Sequence, residues 1–124
     1  MKLLLIFIGG GAGSVLRYLL SLFSNGMWSL GGFPVGTFLC NVLGCFLIGL
    51  FNSLAATMGW SSDVRLMLTV GLCGGFTTFS TFSNEGMALI NQGNYIMYAI
   101  YVLASIVFGV LAVLLGMDIV ASKC

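Results

Sequence analysis

The sequence is poor in charge and has no histidine. Only 6% of its 124 residues are charged and 60% are hydrophobic, whereas a typical soluble domain carries about 25% charged residues. The lack of histidine removes the commonest general base and metal ligand. With a net charge of +1, nothing indicates a nucleic-acid partner. This composition predicts an all-α membrane protein.

Motifs of soluble enzymes are also missing. The four cysteines, Cys40, Cys45, Cys73 and Cys124, have no CxxC spacing, and a cysteine within a span is usually a small packing residue. The glycines from Gly9 to Gly13 do not complete a dinucleotide fingerprint, and no Lys-Ser/Thr follows them as in a phosphate-binding loop. We therefore expect no enzyme. Gly9 and Gly13 instead form a small-xxx-small pair, which lets membrane helices approach closely.

The few charges divide the chain into long uncharged stretches. A helix needs about 20 apolar residues to cross a bilayer. The pattern predicts four transmembrane helices in a single domain, at about 3–23, 34–58, 64–91 and 96–117. The apolar start is similar to a secretory signal, but apolar sequence resumes at Tyr18, which favours a first span. Ser62 or Asp63 is predicted to cap the third span.

The third span has an unusual middle, Gly71–Ser83. Three glycines come first, and phenylalanines then alternate with small hydroxyl residues. Glycine weakens a helix by about 1 kcal/mol relative to alanine. We therefore expect this helix to be broken near its middle, and carbonyls freed by such a break are typical ligands of a small cation. Glu85 follows Phe82 by three residues and lies near the same face.

Polar residues line one face of the second span and one face of the fourth. Thr37 and Asn41 recur at helical spacing with Gly44 and Ile48, and Tyr101 is followed by Ser105. Asn41 can equally form a hydrogen bond that holds two helices together or donate into a cavity. Arg17, in the first span, is either a snorkelling arginine or a cation at a water-filled mouth.

These polar faces consist mostly of neutral hydrogen-bond donors. Phenylalanine edges are electropositive and can approach an anion. An uncharged lining also binds an ion weakly enough to release it. The pattern thus allows an anion pathway, but taken alone it favours a polar network that only packs helices. Four helices rarely enclose a pore, so an oligomer is expected.

The sequence resembles the Fluc-type fluoride channels, also called the CrcB family, over nearly its whole length. Three strings carry the resemblance: Gly9-Gly-Gly-Ala-Gly-Ser-Val-Leu-Arg-Tyr18, Gly36-Thr-Phe-Leu-Cys-Asn-Val-Leu-Gly44 and Gly74-Gly-Phe-Thr-Thr-Phe-Ser-Thr-Phe-Ser-Asn-Glu85. The third string is the most specific. The resemblance implies an antiparallel, dual-topology homodimer with two pores, each lined by both subunits.

The resemblance also implies roles for individual residues. Phe79 and Phe82 correspond to the paired rings whose edges flank fluoride, and Asn41 to the pore asparagine. The polar track would comprise Thr37, Ser80, Thr81, Tyr101 and Ser105, with Glu85 at its end. Gly74 and Thr77 correspond to positions whose backbone carbonyls hold one structural Na+ at the dimer axis. Arg17 corresponds to the vestibule arginine. One departure is Gly109, where some relatives continue the track with a hydroxyl.

The implied function is passive, selective export of cytoplasmic fluoride through the inner or plasma membrane of a microbe. Two rival readings stay open. A small multidrug-type cation/proton antiporter would need a first-span glutamate, where this chain has Arg17. A non-transporting packing subunit would tolerate apolar replacements in the polar track. Orientation is weakly specified, since Lys2, Arg65 and Lys123 fall on one side and Arg17 toward the other.

Overall fold

The computed structural model describes residues 1–27, 34–77 and 79–121, and the regular secondary structure of this part of the chain is all helical. Its elements are α1 (Lys2–Met27), α2 (Val35–Met58), α3 (Ser62–Leu66), a π-helical segment (Met67–Cys73), α4 (Gly74–Phe76), α5 (Phe79–Asn91) and α6 (Tyr95–Ala121). Four stretches are long and apolar enough to cross a membrane: Lys2–Leu22, Val35–Met58, Ser62–Asn91 and Tyr95–Ala121. The prediction of an all-helical protein with four potential spans is confirmed. Lys123 and Cys124 lie outside the described residues.

Apolar side chains cover the outside of these helices. Phe7 on α1 and Ile96 on α6 are each 78% exposed, and long rows of leucine, isoleucine and valine on both helices are exposed with them. Exposing such area to water costs about 25 cal/mol per Å². The single chain therefore needs apolar surroundings, which a bilayer and neighbouring subunits can supply.

Helix α2 packs along α6 through glycines. A side chain at Gly49 would overlap the Val113 carbonyl oxygen, and a Cβ at Gly116 would lie 2.7 Å from the backbone nitrogen of Leu50. Glycine at such positions lets two membrane helices make backbone contact. This pair forms one side of the molecule, and Cys40 and Tyr101, both fully buried, lie on its inner face.

Helix α1 packs against the third span in the same way. A side chain at Gly9 would overlap the Met67 carbonyl oxygen, and a Cβ at Gly13 would lie 2.8 Å from the Phe76 backbone nitrogen. The prediction that Gly9 and Gly13 form a close-packing face is confirmed. Because both glycines face the π-helical segment and α4, helix α1 supports the part of the third span that precedes Thr77.

The turn between α2 and α3 is closed by Gly59 and Ser61. Gly59 ends α2 in the left-handed conformation, with φ of 66° and ψ of 40°, which glycine adopts without strain. Ser61 caps α3, since its side-chain oxygen accepts a hydrogen bond from the Val64 backbone nitrogen at 3.3 Å. The predicted cap, Ser62 or Asp63, was wrong by one position, because Ser62 is already the first helical residue.

The third span changes its helical form twice. Its π-helical segment leads into the single turn α4, and Thr77 is then extended, with φ of −93° and ψ of 150°. The Thr77 backbone nitrogen and hydroxyl both donate to the Cys73 carbonyl, at 3.0 and 2.9 Å. Helix α5 begins at Phe79, and Thr78 between them lies outside the described residues. The predicted break of this helix stays a prediction.

Candidate functional site

A cavity of about 1110 Å³ lies between α2, the third span and α6. Six of the predicted site residues line one part of it: Asn41, Gly74, Thr77, Phe79, Phe82 and Ser105. At its other end it reaches Asn52, Trp60, Ser62 and Arg65, around the turn that joins α2 to α3. Its polar lining is otherwise uncharged, and Arg65 is the single charged residue among the described residues that line it.

Six further predicted site residues do not line this cavity. Arg17 lies on α1, Thr37 on α2 and Tyr101 on α6, and α5 carries Ser80, Thr81 and Glu85. Ser80 is exposed and Thr81 is half-buried. The predicted polar track is therefore only partly gathered into one cavity within a single chain.

Three aromatic rings form a row from the cavity into the protein. The ring centroids of Phe79 and Phe82 are 5.9 Å apart, with an interplanar angle of 38°. The centroids of Phe82 and Tyr101 are 4.9 Å apart, at 44°. Phe79 is 78% exposed and Tyr101 is fully buried. The tilted rings direct edges as well as faces toward their neighbours, and a ring edge is the part that attracts an anion.

Polar atoms lie buried beside this row of rings. The Thr37 hydroxyl donates to Oε1 of Glu85 at 2.7 Å. Within the described part of the chain, Oε2 of Glu85 and Oγ of Ser105 are buried without a hydrogen-bond partner. A buried polar group left unpaired costs about 1–3 kcal/mol. These two oxygens are therefore positions where water or a polar ligand would stabilise the protein.

Arg17 contacts the third span at the predicted break. Its Nε donates to the Gly75 carbonyl oxygen at 3.4 Å, and its side chain is half-buried. Gly75 itself packs on α1, since a Cβ there would lie 3.0 Å from the Gly10 Cα. The arginine thus satisfies a backbone carbonyl between Gly74 and Thr77. Its predicted role at a vestibule stays a prediction.

Gly74 and Thr77 are the two residues predicted to hold a cation through their backbone carbonyls. Gly74 is exposed and lines the cavity, and the extended conformation of Thr77 turns its carbonyl away from the helical ladder. Residues 1–27, 34–77 and 79–121 contain no group of three or more His, Cys, Asp or Glu side chains that could hold a metal. Carbonyl oxygens of unwound helices are common ligands of Na+ in membrane proteins. The residues present therefore fit a Na+ held by backbone oxygens.

Several features of the cavity were not predicted from the sequence. Asn52 follows Asn41 by eleven residues on α2 and continues its helical face, so the 3.6-residue period was a usable signal. The contact of Asn52 with Arg65 had no local signal. Gly109 is buried against Cys45, whose sulfur would lie 3.5 Å from a Cβ at that position. The position that departs from the family pattern is thus packed against a thiol.

Comparison with known proteins shows what the chain is similar to. Residues 4–117 match the family described as CrcB-like protein, Camphor Resistance (CrcB). A protein of Phocaeicola vulgatus is 55% identical over 93% of this chain and 94% of its own length. A protein of Bacteroides fragilis is 49% identical over 93% of this chain and 92% of its own length. Each is named a fluoride-specific ion channel, FluC.

Four helices long and apolar enough to cross a membrane, together with relatives named as ion channels, define a multi-pass membrane protein. The chain belongs to the CrcB family. The predicted resemblance is confirmed. The relatives carry the name of an ion channel, which is consistent with the expectation that the chain is not an enzyme.

Proposed function

We propose that this protein is a fluoride-selective ion channel. The observation that carries the proposal is the 55% identity, over 93% of the chain, to a protein named a fluoride-specific ion channel. The cavity supports it, because it combines phenylalanine rings with amide and hydroxyl donors at Asn41, Phe79, Phe82 and Ser105. Electropositive ring edges and neutral donors can replace the water around a small anion without holding it permanently.

Transport through this site is passive and exports fluoride from the cytoplasm. Neutral HF enters cells in acid surroundings and dissociates inside, so fluoride accumulates there. The membrane potential drives an anion outward with about 2.3 kcal/mol per charge per 100 mV. No coupling reaction is needed, and the cell membrane of a microbe is the expected location.

The functional unit is an antiparallel homodimer with two pores, each lined by both subunits. One subunit leaves Phe79 largely exposed and Gly74 open at the cavity. A second copy in the opposite orientation would cover these residues and enclose the open cavity, so that it becomes a narrow pore. Ser80 and Thr81 would join the polar track there, with Thr37, Tyr101, Ser105 and Glu85 continuing it.

The third span is broken near Thr77, and the break forms a structural Na+ site at the dimer axis. The carbonyl oxygens of Gly74 and Thr77 from both subunits would hold the ion. When bound, Na+ would supply a positive charge that offsets the repulsion between these carbonyl dipoles. Arg17 donates to the Gly75 carbonyl, which lies between these two positions in the sequence. Neutral backbone ligands make this a site for a hard, weakly bound cation.

Fluoride efflux from proteoliposomes tests the proposal. Purified protein in liposomes loaded with potassium fluoride should release fluoride after valinomycin is added, as read by a fluoride electrode. The same liposomes loaded with chloride should release little. No fluoride release, or equal release of chloride, would exclude a fluoride channel. Proton-coupled cation exchange in place of fluoride release would instead support the antiporter reading.

A further inference from the structure

The far end of the cavity, around Arg65 and Asn52, has no part in the roles described above. Arg65 lies on α3, close after the turn that follows α2, and its side chain is exposed. It lines the same cavity as Asn41 and Phe82, together with Asn52, Trp60 and Ser62. This end is therefore connected to the candidate pathway and lies at one membrane surface.

We propose that Arg65 and Asn52 form an anion-attracting site at the mouth of the cavity, which supplies hydrated fluoride to the pathway. The inference rests on the proposed function, because it concerns how the same anion reaches the rings. Its ligand is any small hydrated anion, since the site has one positive charge and no enclosed pocket that would discriminate between anions.

The contacts of Arg65 support this assignment. Its Nε donates to the side-chain oxygen of Asn52 at 3.3 Å. The amide is neutral, so it orients the guanidinium without compensating its charge. Asp63, the nearest carboxylate along the chain, does not belong to the described lining of the cavity. Arg65 is thus a fixed positive charge facing a cavity whose other described lining residues are neutral.

The turn beside Arg65 holds this geometry in place. Trp60 also lines the cavity, and its ring lies 6.2 Å from that of Phe51 on α2. The Thr69 hydroxyl donates to the Arg65 carbonyl at 2.7 Å, one helical turn further on. Both contacts fix the backbone that carries Arg65, which keeps the charge at the mouth.

Arg65 acts at a distance from the rings. Asn52 and Asn41 are eleven residues apart on α2, which corresponds to about 16 Å at 1.5 Å per residue. The Debye length is about 8 Å at physiological ionic strength. We therefore expect Arg65 to raise the local anion concentration at the mouth, an effect that salt weakens, and not to set fluoride selectivity.

The test compares fluoride efflux at low and high ionic strength. Arg65→Gln should lower efflux about tenfold at low ionic strength, at the lower end of the range known for electrostatic steering, and much less at high ionic strength. Arg65→Lys should retain most of the wild-type rate. Lys2→Gln is the matched control, because it removes a cation on the same side of the four-helix unit from a residue outside the described cavity lining. It should leave efflux unchanged.

A second pair of variants avoids the Arg65 contacts. Ser62 is exposed and lines the cavity, so Ser62→Glu should lower efflux and Ser62→Lys should raise it, both in a salt-dependent way. Fluoride over chloride selectivity should stay at the wild-type value in all variants. Equal rates for the two Ser62 variants, or an Arg65→Gln loss that does not depend on salt, would overturn the inference. A wild-type protein that releases no fluoride would instead overturn the proposed function.

Discussion

Phe82 is the residue at which the aromatic row and the cavity meet. It contacts both Phe79 and Tyr101, so its ring position is fixed from two sides. Aromatic pairs of this kind contribute about 0.5–1.5 kcal/mol beyond their buried area. A replacement of similar volume would keep the packing and remove the ring edge.

We expect Phe82→Ile to lower fluoride efflux about tenfold, because isoleucine has no electropositive ring edge to attract the anion; one decade in rate corresponds to a barrier higher by about 1.4 kcal/mol. The dimer should persist, as judged by size-exclusion chromatography. Phe38→Ile is the matched control, since Phe38 pairs with Phe108 at 6.0 Å but is not among the residues that line the cavity. Wild-type efflux in Phe82→Ile would contradict a role for the ring edge.

Thr37 provides a second prediction for a single residue. Its hydroxyl is the donor to Glu85, and Thr37 is only 5% exposed. Thr37→Val keeps the shape and removes the donor, which should lower stability by about 1–3 kcal/mol and reduce efflux. Thr37→Ser, which keeps the hydroxyl, should retain more of the wild-type stability and more of the fluoride efflux than Thr37→Val. Thermal unfolding in detergent measures the stability, and equal melting of both variants would argue against the contact.

At the scale of elements, the third span depends on how closely α1 approaches it. Gly75 packs on Gly10, and a side chain there would overlap the Gly10 carbonyl oxygen. The same contact brings Arg17 to the Gly75 carbonyl. Helix α1 thus positions the backbone on which the proposed break and cation site depend.

Gly75→Ala should therefore destabilise the protein and impair dimer assembly, although alanine is the better helix former by about 1 kcal/mol. Gly11→Ala is the matched control on α1, because a Cβ there meets nothing within 4 Å. It should be neutral or slightly stabilising. Size-exclusion profiles after a heating series would compare the two. If Gly75→Ala survived heating as well as Gly11→Ala, the close approach of α1 would have no consequence for assembly.

The features that the sequence could predict are those with a local period. The four potential spans follow from hydropathy, and the packing face of Gly9 and Gly13 follows from their spacing. The gathering of Asn41, Phe82 and Ser105 was implied by the family resemblance. Other features depend on contacts between distant residues, and spacing does not encode them. The hydrogen bond from Arg17 to Gly75 joins residues 58 positions apart. The π-helical segment is likewise the part of the third span against which α1 packs.

At the scale of the whole molecule, the scarcity of charge leaves the orientation in the membrane poorly determined. The chain has four lysine and arginine residues in total among its 124 residues. The positive-inside rule weighs lysine and arginine near the ends of spans. A few added charges should therefore decide the orientation, and an antiparallel dimer would need both orientations at once.

We expect two oppositely biased variants to be inactive alone and active together. Three lysines appended after Cys124 should place both termini in the cytoplasm, because of the positive-inside rule. Asn91→Lys with Gln92→Lys, at the exposed end of α5 on the other side, should reverse this orientation. A topology reporter at the C-terminus measures each orientation, and fluoride efflux from membranes measures activity. Asn91→Gln with Gln92→Asn is the neutral control and should behave as wild type. Co-expression of the two charged variants should restore efflux, whereas full efflux from either one alone would contradict an antiparallel dimer.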